Sequence, residues 1–531
     1  MKAAYAQMKI AAGQPGVNTK KILNMINEAR AGGAAIIIFP AFSVSGQMVG
    51  DTWEERTFSL ECEDCAEEIV AASQDIFVVA DKSDYIDKDF YIAKDKDINY
   101  DLFPSGKIDF LYDDDPFNGK PEFCIEFLTE PFKFNRLDFE EDNYRPLIRV
   151  GGVGIQNIGK TIYAFDGRSA VFNSRGEVVQ YAEPFEECLN FIETDDIDKM
   201  PALKVPKICA AEKIYRAISY GVKEFLEQIG MKKVVIGVSG GIDSAVAAAL
   251  YTQVVGAENV ILVNMPSVFN SATTKGLSEQ LAKNLGCKYY VVPIQESVDW
   301  TVKQLEERGI EVSNFVKENI QARDRSARIL AAIAASVGGV FTCNANKAET
   351  TVGYATLYGD EAGFLSALAD LWKFQVYDLA RYMNEKIYKF EAIPQGIIDI
   401  VPSAELSTAQ NVDEGKGDPL KYLYHDYLLR AFAEDNKAPE EILEFYVKDE
   451  LEYEIGCKRG LVEKYFPTAQ DFIVDLERWW KQFTGMGVAK RIQSPPIFAV
   501  TDKPYGARQE SQNGCHFTKK YLELKERLLA K

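Results

Sequence analysis

Histidine is almost absent from this 531-residue sequence, which contains only His425 and His516. A mechanism built on a histidine base, or a metal held by several imidazoles, is therefore not expected. The nine cysteines show no framework spacing, and although Cys62 and Cys65 form a Cys-x-x-Cys pair, no second pair stands near them in the sequence. The sequence thus predicts neither a disulfide scaffold nor a zinc site.

Long apolar runs and long runs of one charge are also missing. No stretch stays apolar over the roughly 20 residues that span a bilayer, and no secretory leader is recognisable. The 80 acidic residues exceed the 60 basic ones, and the net charge of −20 disfavours nucleic acid and anionic membranes as partners. We therefore expect a cytoplasmic protein. Its length exceeds what one hydrophobic core serves, so two or more domains are expected.

The clearest local pattern is Ser-Gly-Gly-Ile-Asp-Ser at residues 239–244. A β-branched run precedes it and an alanine-rich stretch follows, which predicts a strand, a tight glycine turn and a helix. The free N–H groups at the helix start favour an anion in the turn. A carboxylate there suits a divalent cation carried by a phosphate. A serine-capped turn is the alternative, and the agreement of all positions disfavours it. The residues expected at the anion are Ser239, Gly240, Gly241, Asp243 and Ser244.

This loop resembles the pyrophosphate-binding signature of the N-type ATP pyrophosphatases, which split ATP between its α and β phosphates. Downstream, apolar strands at 260–264 and 288–293 alternate with a helix at 272–285. That alternation predicts a doubly wound, parallel (Rossmann-like) sheet with ligand at the carboxyl ends of its strands. The loop alone does not separate NAD synthetases from GMP synthetases, asparagine synthetases and other members.

A later helix favours the NAD synthetases. Phe315, Asn319 and Arg323 are spaced four residues apart, so they share one helix face. An aromatic ring suits stacking and an arginine suits a carboxylate, whereas a solvated charged face is the alternative. The segment Glu-Asn-Ile-Gln-Ala-Arg at 318–323 is similar to that of glutamine-dependent NAD synthetases. The resemblance implies that these three side chains contact the nicotinate end of deamido-NAD.

Further segments extend the resemblance over most of residues 210–500. One departure is Cys343-Asn344-Ala345, where the family usually has Thr-Thr-Gly; it puts the turnover rate in doubt more than the reaction type. The resemblance implies ATP contacts, besides the loop, at Met265, Arg325, Asn344, Lys373 and Ser403. It implies a substrate contact at Asp360, a catalytic set of Asp243, Glu349 and Lys373, and magnesium ligands at Asp243 and Glu349.

Residues 1–200 resemble the nitrilase/amidase superfamily more weakly, and we expect an α/β sandwich there. Phe39-Pro40 is similar to the strand end that carries the family's glutamate base, but the next residue is Ala41. Alignment places Tyr100 at the position of the family's lysine. The sequence leaves no room, before the family's late strands, for the segment that carries the nucleophilic cysteine. Cys124 falls within a predicted strand. The resemblance therefore predicts an inactive nitrilase-like domain at 1–200, followed by a synthetase domain at 205–531, with the acidic stretch 193–199 as linker.

One motif in the first domain matches a phosphate-binding pattern in sequence but lacks the structural context that the pattern requires. Gly154–Thr161 fits the phosphate-loop pattern G-x-x-x-x-G-K-[ST]. The mechanism of that loop requires a helix directly after it. The residues that follow, Ile-Tyr-Ala-Phe-Asp-Gly, predict a strand and a turn instead, so nucleotide is not expected there.

Taken with the resemblance, these patterns predict an NAD synthetase that uses ATP and Mg²⁺. ATP would adenylylate deamido-NAD, and ammonia would then displace AMP. Because the nitrilase-like triad is missing, free ammonia is the expected nitrogen donor, and we expect a homo-oligomer, at least a dimer. The alternatives are a glutamine-dependent synthetase with an unrecognised nucleophile or a partner glutaminase, another amide-forming pyrophosphatase, and a non-catalytic nucleotide-binding protein.

Overall fold

The computed structural model describes residues 1–81, 90–98, 108–110, 122–136, 145–506 and 514–530. The chain divides into two compact units, Met1–Lys213 and Ile214–Lys531. Among the described residues, no helix combines the length and the apolar character that crossing a membrane requires.

The first unit is built on strands with two helices near its start. Its elements are β1 (Lys2–Gln7), α1 (Pro15–Ala31), β2 (Ile36–Ile38), α2 (Arg56–Ala71), β3 (Phe77–Asp81), β4 (Phe90–Lys94), β5 (Asp97–Ile98), β6 (Ile108–Phe110), β7 (Phe123–Leu128), β8 (Leu147–Gly151), β9 (Val153–Ile158), β10 (Thr161–Asp166), β11 (Ala170–Phe172), β12 (Val178–Tyr181) and β13 (Cys188–Glu193). One sheet has the order β13-β1-β2-β3-β4-β5 and another has the order β12-β11-β8-β7-β6. Strands β1, β2 and β3 run parallel, as do β6, β7 and β8.

Alternation along these strands builds the layers. Tyr5 of β1 and Ile38 of β2 pack in one core with Ile125 of β7, from the other sheet. The intervening Ala4 and Ile37 instead pack in a second core with α1 and α2. Because successive side chains point to opposite faces of a strand, β2 is buried on both sides. The predicted α/β sandwich with a buried strand near residues 34–39 is confirmed.

Two sequence patterns in this unit are resolved by the structure. The phosphate-loop-like stretch lies in an antiparallel hairpin in which β9 pairs with β10, so the prediction of a strand and a turn is confirmed. The acidic stretch predicted as a linker is instead a 3₁₀ helix at Thr194–Lys199. It belongs to the first unit, because Ile197 is fully buried and Asp195 pairs with the N-terminal amine at 2.7 Å.

The second unit is richer in helices. Its elements are α3 (Ala210–Gln228), β14 (Val234–Gly237), α4 (Ile242–Val255), β15 (Val260–Asn264), α5 (Ala272–Leu285), β16 (Lys288–Val291), α6 (Gln295–Glu306), α7 (Asn314–Arg323), α8 (Ala331–Val337), β17 (Val340–Phe341), α9 (Lys347–Val352), α10 (Lys373–Tyr382), α11 (Gln395–Asp399), α12 (Tyr422–Ala433), α13 (Pro439–Val447), α14 (Leu451–Ile455), α15 (Leu461–Tyr465), α16 (Ala469–Thr484), α17 (Met486–Gln493), β18 (Ile497–Ala499) and α18 (Lys519–Leu529). Helix α3 starts before the boundary between the units.

Four of these strands form a parallel sheet in the order β16-β15-β14-β17. The chain moves outward from β14 to β16 and then returns to place β17 on the other side of β14. Ligands of such sheets bind where the strand order reverses, at the carboxyl ends of the strands. The predicted doubly wound sheet is therefore confirmed, and its reversal point lies at the end of β14.

Candidate active site

The loop after β14 has the predicted course into α4. Gly240 adopts a φ of +88°, and a Cβ atom on it would lie 2.4 Å from the carbonyl oxygen of Thr274 in α5. Both the left-handed conformation and the close approach require glycine. No side chain among the described residues caps α4, so the N–H groups of its first turn are suited to an anion. The hydroxyl of Ser244 donates to the carbonyl of Gly241 at 3.1 Å and stabilises the turn.

The three predicted catalytic residues meet beside this loop. Lys373 Nζ donates to Asp243 Oδ2 at 2.5 Å and lies 3.3 Å from Glu349 Oε1. All three lie in the first turns of helices, namely α4, α9 and α10. A helix N-terminus favours carboxylates and disfavours a cation. The position of Lys373 at the start of α10 therefore depends on its two acidic partners.

The electrostatics of this group favour a bound cation. Burial raises the pKa of Glu349 to about 7, with Asp243 and Asp418 adding to the shift and Lys373 opposing it. Burial lowers the pKa of Lys373, but Asp243 and Glu349 raise it by more, so the net pKa lies above its ordinary value. One lysine thus faces several carboxylates, and the excess negative charge attracts cations.

The donor set fits magnesium in particular. The carboxylates of Asp243 and Glu349 both reach one nitrogen of Lys373, so they converge on one point. In the part of the chain that the structure describes, no three Asp, Glu, His or Cys side chains could hold a metal alone. Magnesium is commonly bound by one or two carboxylates together with phosphate oxygens, and two convergent carboxylates match that mode.

A second layer of polar groups holds these carboxylates, and the sequence analysis did not identify it. Asn346 Nδ2 donates to Asp243 Oδ1 at 3.0 Å. The hydroxyl of Tyr422 lies 3.1 Å from Glu349 Oε1 and 3.3 Å from Asp418 Oδ2. Asp418 follows the segment Gly415-Lys416-Gly417, which has no periodicity. No local signal could have placed it at the site, because its partners lie in distant elements.

A cavity of about 260 Å³ opens at this edge of the sheet. It brings together every residue predicted to contact ATP, along with Glu349 and Asp360. Its lining includes Ser239, Gly240, Gly241, Asp243, Ser244, Met265, Arg325, Asn344, Glu349, Asp360, Lys373 and Ser403. The predicted contacts thus share one cavity, although which of them bind nucleotide stays a prediction.

Arg325 lies in a π-helical stretch, Asp324–Leu330, between α7 and α8. Its Nε donates to the carbonyl of Met265 at 3.0 Å and its Nη2 to Asn270 Oδ1 at 3.2 Å. Burial lowers its pKa to about 10, so it stays cationic at neutral pH. Such wide turns often occur at functional sites. Here the turn presents a fixed positive charge to the cavity.

The predicted substrate face of α7 lies outside the cavity lining. Phe315 is 73% exposed, and Asn319 Nδ2 donates to its carbonyl at 2.8 Å. Arg323 Nε donates to the carbonyl of Leu357 at 3.1 Å. Ala322, seven residues after Phe315 and therefore on the same side of α7, lines the cavity itself. The three side chains therefore share one helix face, as predicted, next to the cavity.

The first unit shows what stands at the positions of the nitrilase-like triad. Ala41 is buried just after β2. Cys124 is fully buried in β7. A nucleophilic cysteine is usually partly exposed, whereas the Cys124 side chain is not. Tyr100, aligned with the family's lysine, lies outside the described residues.

Comparisons with known proteins bear on both units. Residues 214–457 match the family model for NAD synthase. A glutamine-dependent NAD(+) synthetase of Aquifex aeolicus is 29% identical over 82% of this chain and 90% of its own length. One of Synechocystis sp. is 32% identical over 68% of this chain, and the match spans 59% of that protein.

Two solved structures resemble the whole chain in fold. A glutamine-dependent NAD+ synthetase from Acinetobacter baumannii, in complex with ADP, has a TM-score of 0.65 at 22% identity and covers 97% of this chain and 99% of its own. One from Cytophaga hutchinsonii has a TM-score of 0.76 at 15% identity, with 99% of each chain covered. The combination of an α/β sandwich with a doubly wound domain is thus common to all three.

These comparisons correct one prediction. The expectation of free ammonia as the nitrogen donor is wrong, because the relatives that match over most of the chain are glutamine-dependent. The prediction rested on the joint loss of the triad glutamate at Ala41, of the lysine at Tyr100 and of the segment that carries the cysteine. Those three positions were placed by a weak resemblance, and Tyr100 lies outside the described residues.

Proposed function

We propose that this chain, which carries an NAD synthase domain behind a nitrilase-like domain, makes NAD by ATP-dependent amidation of deamido-NAD with nitrogen from glutamine. The observation that carries the proposal is the meeting of Asp243, Glu349 and Lys373 at three helix starts beside the glycine loop. A cavity that joins a phosphate cradle, a buried lysine and two carboxylates suits cleavage of a nucleoside triphosphate.

The chemistry assigns each group a task. The nicotinate carboxylate attacks the α-phosphorus of ATP, a new O–P bond forms, and the bond to pyrophosphate breaks. Lys373 and the N–H groups of the α4 first turn stabilise the negative charge that develops on the departing pyrophosphate. The nitrogen of ammonia, released from glutamine, then attacks the activated carbonyl carbon and expels AMP.

Magnesium would be held by Asp243 and Glu349. When bound, it would neutralise charge on the phosphates and orient them. The chain's own contribution is to fix both carboxylates, through Asn346 on one and Tyr422 on the other, so that little reorganisation is needed when the nucleotide arrives.

Arg323 is the proposed partner of the nicotinate carboxylate, with Phe315 beside the ring. Both side chains are presented by α7, and Arg323 is anchored to the carbonyl of Leu357 through its Nε. The terminal nitrogens of the guanidinium can then donate to a carboxylate. Asp360, three residues after Leu357, lines the cavity. Its Oδ1 accepts from the backbone N–H of Thr356 at 2.7 Å.

The test is to incubate the purified protein with ATP, Mg²⁺, deamido-NAD and glutamine labelled with ¹⁵N in its amide. We expect NAD that carries the label, with one AMP and one pyrophosphate per NAD. Lys373→Ala should abolish product, whereas Lys303→Ala, a matched change of an exposed lysine in the same unit, should not. AMP release with a different carboxylic acid as the substrate for amidation, but not with deamido-NAD, would contradict the proposal.

A second arm identifies where glutamine is hydrolysed. Glutamate release from glutamine by the purified chain would place the glutaminase in this protein. Labelled NAD that forms only after addition of an extract from the source cells would place it in a partner. Product labelled from ¹⁵N-ammonium but never from glutamine, with or without the extract, would overturn the glutamine part of the proposal.

A further inference from the structure

We propose that Glu405 is a positioning residue that fixes the segments lining the nucleotide cavity relative to one another. Its neighbours Ser403, Ala404 and Leu406 line the cavity, but Glu405 does not. Its side chain turns into the protein and the residue is only 2% exposed. The identity of the nucleotide rests on the proposed function, whereas the role of Glu405 rests on the geometry of the cavity.

The carboxylate of Glu405 joins its own turn to the start of α5. Its Oε1 accepts from the backbone N–H of Ser271, the N-cap residue of α5, at 3.1 Å. Its Oε2 accepts from Thr274 Oγ1 at 2.7 Å and lies 3.3 Å from Asn270 Nδ2. A carboxylate at a helix N-terminus satisfies free N–H groups and matches the helix dipole. Glu405 therefore anchors the start of α5, which the Ser271 side chain caps, from a segment more than 130 residues away in sequence.

The first turn of α5 packs directly against the glycine loop. Gly240 packs so closely on Thr274 that a Cβ would fall 2.4 Å from the Thr274 carbonyl oxygen and 2.8 Å from its Cα. A shift of Thr274 therefore requires a shift of the loop. Because Glu405 holds Thr274 by a charged hydrogen bond, it controls where the loop N–H groups lie.

A second connection reaches the cationic side of the cavity. Asn270, which donates to Glu405, also accepts from Arg325 Nη2 at 3.2 Å and from the N–H of Ser267 at 2.8 Å. One buried carboxylate thus links three segments that line the cavity: the 402–406 turn, the start of α5, and Arg325. Movement of any one of them is transmitted to the others.

The backbone of Glu405 is consistent with an imposed position. Its φ is +47°, a left-handed conformation that is uncommon for a residue with a Cβ. Such conformations persist where the surroundings over-determine them, and they cluster at functional sites. Three donors converging on the carboxylate supply that constraint.

The test replaces the carboxylate while keeping its size. In Glu405→Gln, the new amide group brings donors to a position where every partner also donates. We expect the KM for ATP and the Kd for α,β-methylene-ATP to rise about 10- to 100-fold, as for loss of hydrogen bonds to a charged group. The KM for deamido-NAD should change by less than about twofold, because the recorded bond from α7 to this segment, from Gln321 Nε2 to the carbonyl of Leu406 at 3.0 Å, does not involve the Glu405 carboxylate.

Two further variants test whether Glu405 acts on the glycine loop through Thr274. Thr274→Val removes the hydroxyl and keeps the shape, and should also raise the KM for ATP. The double variant should be no worse than Glu405→Gln alone, since both changes break one connection. Glu414→Gln, an exposed glutamate nine residues along, is the matched control and should leave both constants unchanged.

The outcomes separate this inference from the proposed function. If Glu405→Gln lowers only thermal stability or the yield of active protein, with ATP constants unchanged, the residue is merely structural and the inference is wrong. If Glu405→Gln does not fold, an unchanged KM for ATP in Thr274→Val overturns the inference and a raised one supports it. If the wild type binds α,β-methylene-ATP and the variants bind it weakly, but no NAD forms from deamido-NAD, the proposed function fails while Glu405 keeps its role.

Discussion

Strands β2 and β14 are equivalent in architecture and opposite in chemistry. Both are buried parallel strands, each flanked by parallel neighbours in its own sheet. After β2 the chain continues into Pro40 and Ala41, which present no reactive group. After β14 it forms the glycine loop and delivers Asp243 to Lys373. A strand end of the right geometry is therefore only a place for a site, and the side chains decide whether chemistry is possible there.

The buried acids of the two units show the same contrast. Asp166, at the end of β10, is almost fully buried and pairs with the equally buried Arg168 at 2.8 Å. Burial raises its pKa and Arg168 opposes that shift. Asp243 is more open, with 17% of its side chain exposed, and lines a cavity. The acid of the first unit is enclosed by its partner, whereas that of the second unit can reach a ligand.

The largest expected effect tests the open acid. Asp243→Asn should lower the rate of NAD synthesis about 100- to 1000-fold, because loss of one preorganised charge contact costs about 3–4 kcal/mol in the transition state. The melting temperature should change little, since Lys373 keeps Glu349 as a partner. Steady-state rates at saturating Mg²⁺ and thermal unfolding of the same preparation measure both. A near-normal rate would remove Asp243 from the catalytic set.

The second prediction concerns the enclosed acid. Asp166→Asn should reduce the free energy of unfolding by about 3 kcal/mol, because it leaves the Arg168 charge buried without its partner. Folded enzyme should still form NAD from deamido-NAD and ammonium at low temperature. Urea unfolding followed by tryptophan fluorescence, with synthesis assayed in parallel, would check this. A variant that keeps full stability but loses synthesis would break the distinction between the two acids.

The smallest expected effect is a pH dependence of stability. Asp426, buried in α12, accepts from the N–H of Phe374 at 2.9 Å, and burial, assisted by Asp243 and Glu349, raises its pKa from 3.8 to about 7. A raised carboxyl pKa means that the folded state holds its proton more tightly. The associated stability is complete below pH 3.8 and is lost as pH rises through about 7.

Between pH 5 and pH 7 this loss should amount to about 2 kcal/mol, since one pKa unit corresponds to about 1.4 kcal/mol. Asp426→Asn cannot titrate and should show a flatter profile over that interval, measured as urea midpoints at half-unit steps of pH. Asp378→Asn, a change of an exposed acid in the same unit, should keep the wild-type slope. An unchanged slope in Asp426→Asn would assign the dependence to other groups.

Local patterns in the sequence predicted the second unit well. Strand β15 and helix α5 have the predicted bounds, 260–264 and 272–285, because side-chain periodicity and a glycine turn are encoded within a few residues. The cavity also contains every predicted ATP contact. The positions outside the glycine loop came from resemblance to a family, which carries three-dimensional information that periodicity lacks.

What the sequence did not reveal depends on contacts over long separations. Tyr422 meets Glu349 from 73 residues away, and Glu405 meets Thr274 from 131. Neither pair has a local signature. The acidic stretch at 193–199 was interpreted from its charge as a linker, although its one fully buried side chain, Ile197, anchors it in the first unit. Charge composition describes the exposed side of such a segment and misses the side that packs.

The contact between Gly240 and Thr274 has a consequence for how this loop can vary over evolutionary time. At Gly221 in α3, an added Cβ would collide with the ring of Phe498, so a smaller residue at 498 could compensate, and the two positions can change together. At Gly240 the collision is with the backbone of residue 274, which every amino acid shares. No substitution at position 274 can make room, so a change at Gly240 cannot be compensated there. Evolution must therefore keep glycine at position 240 or change the backbone course of α5.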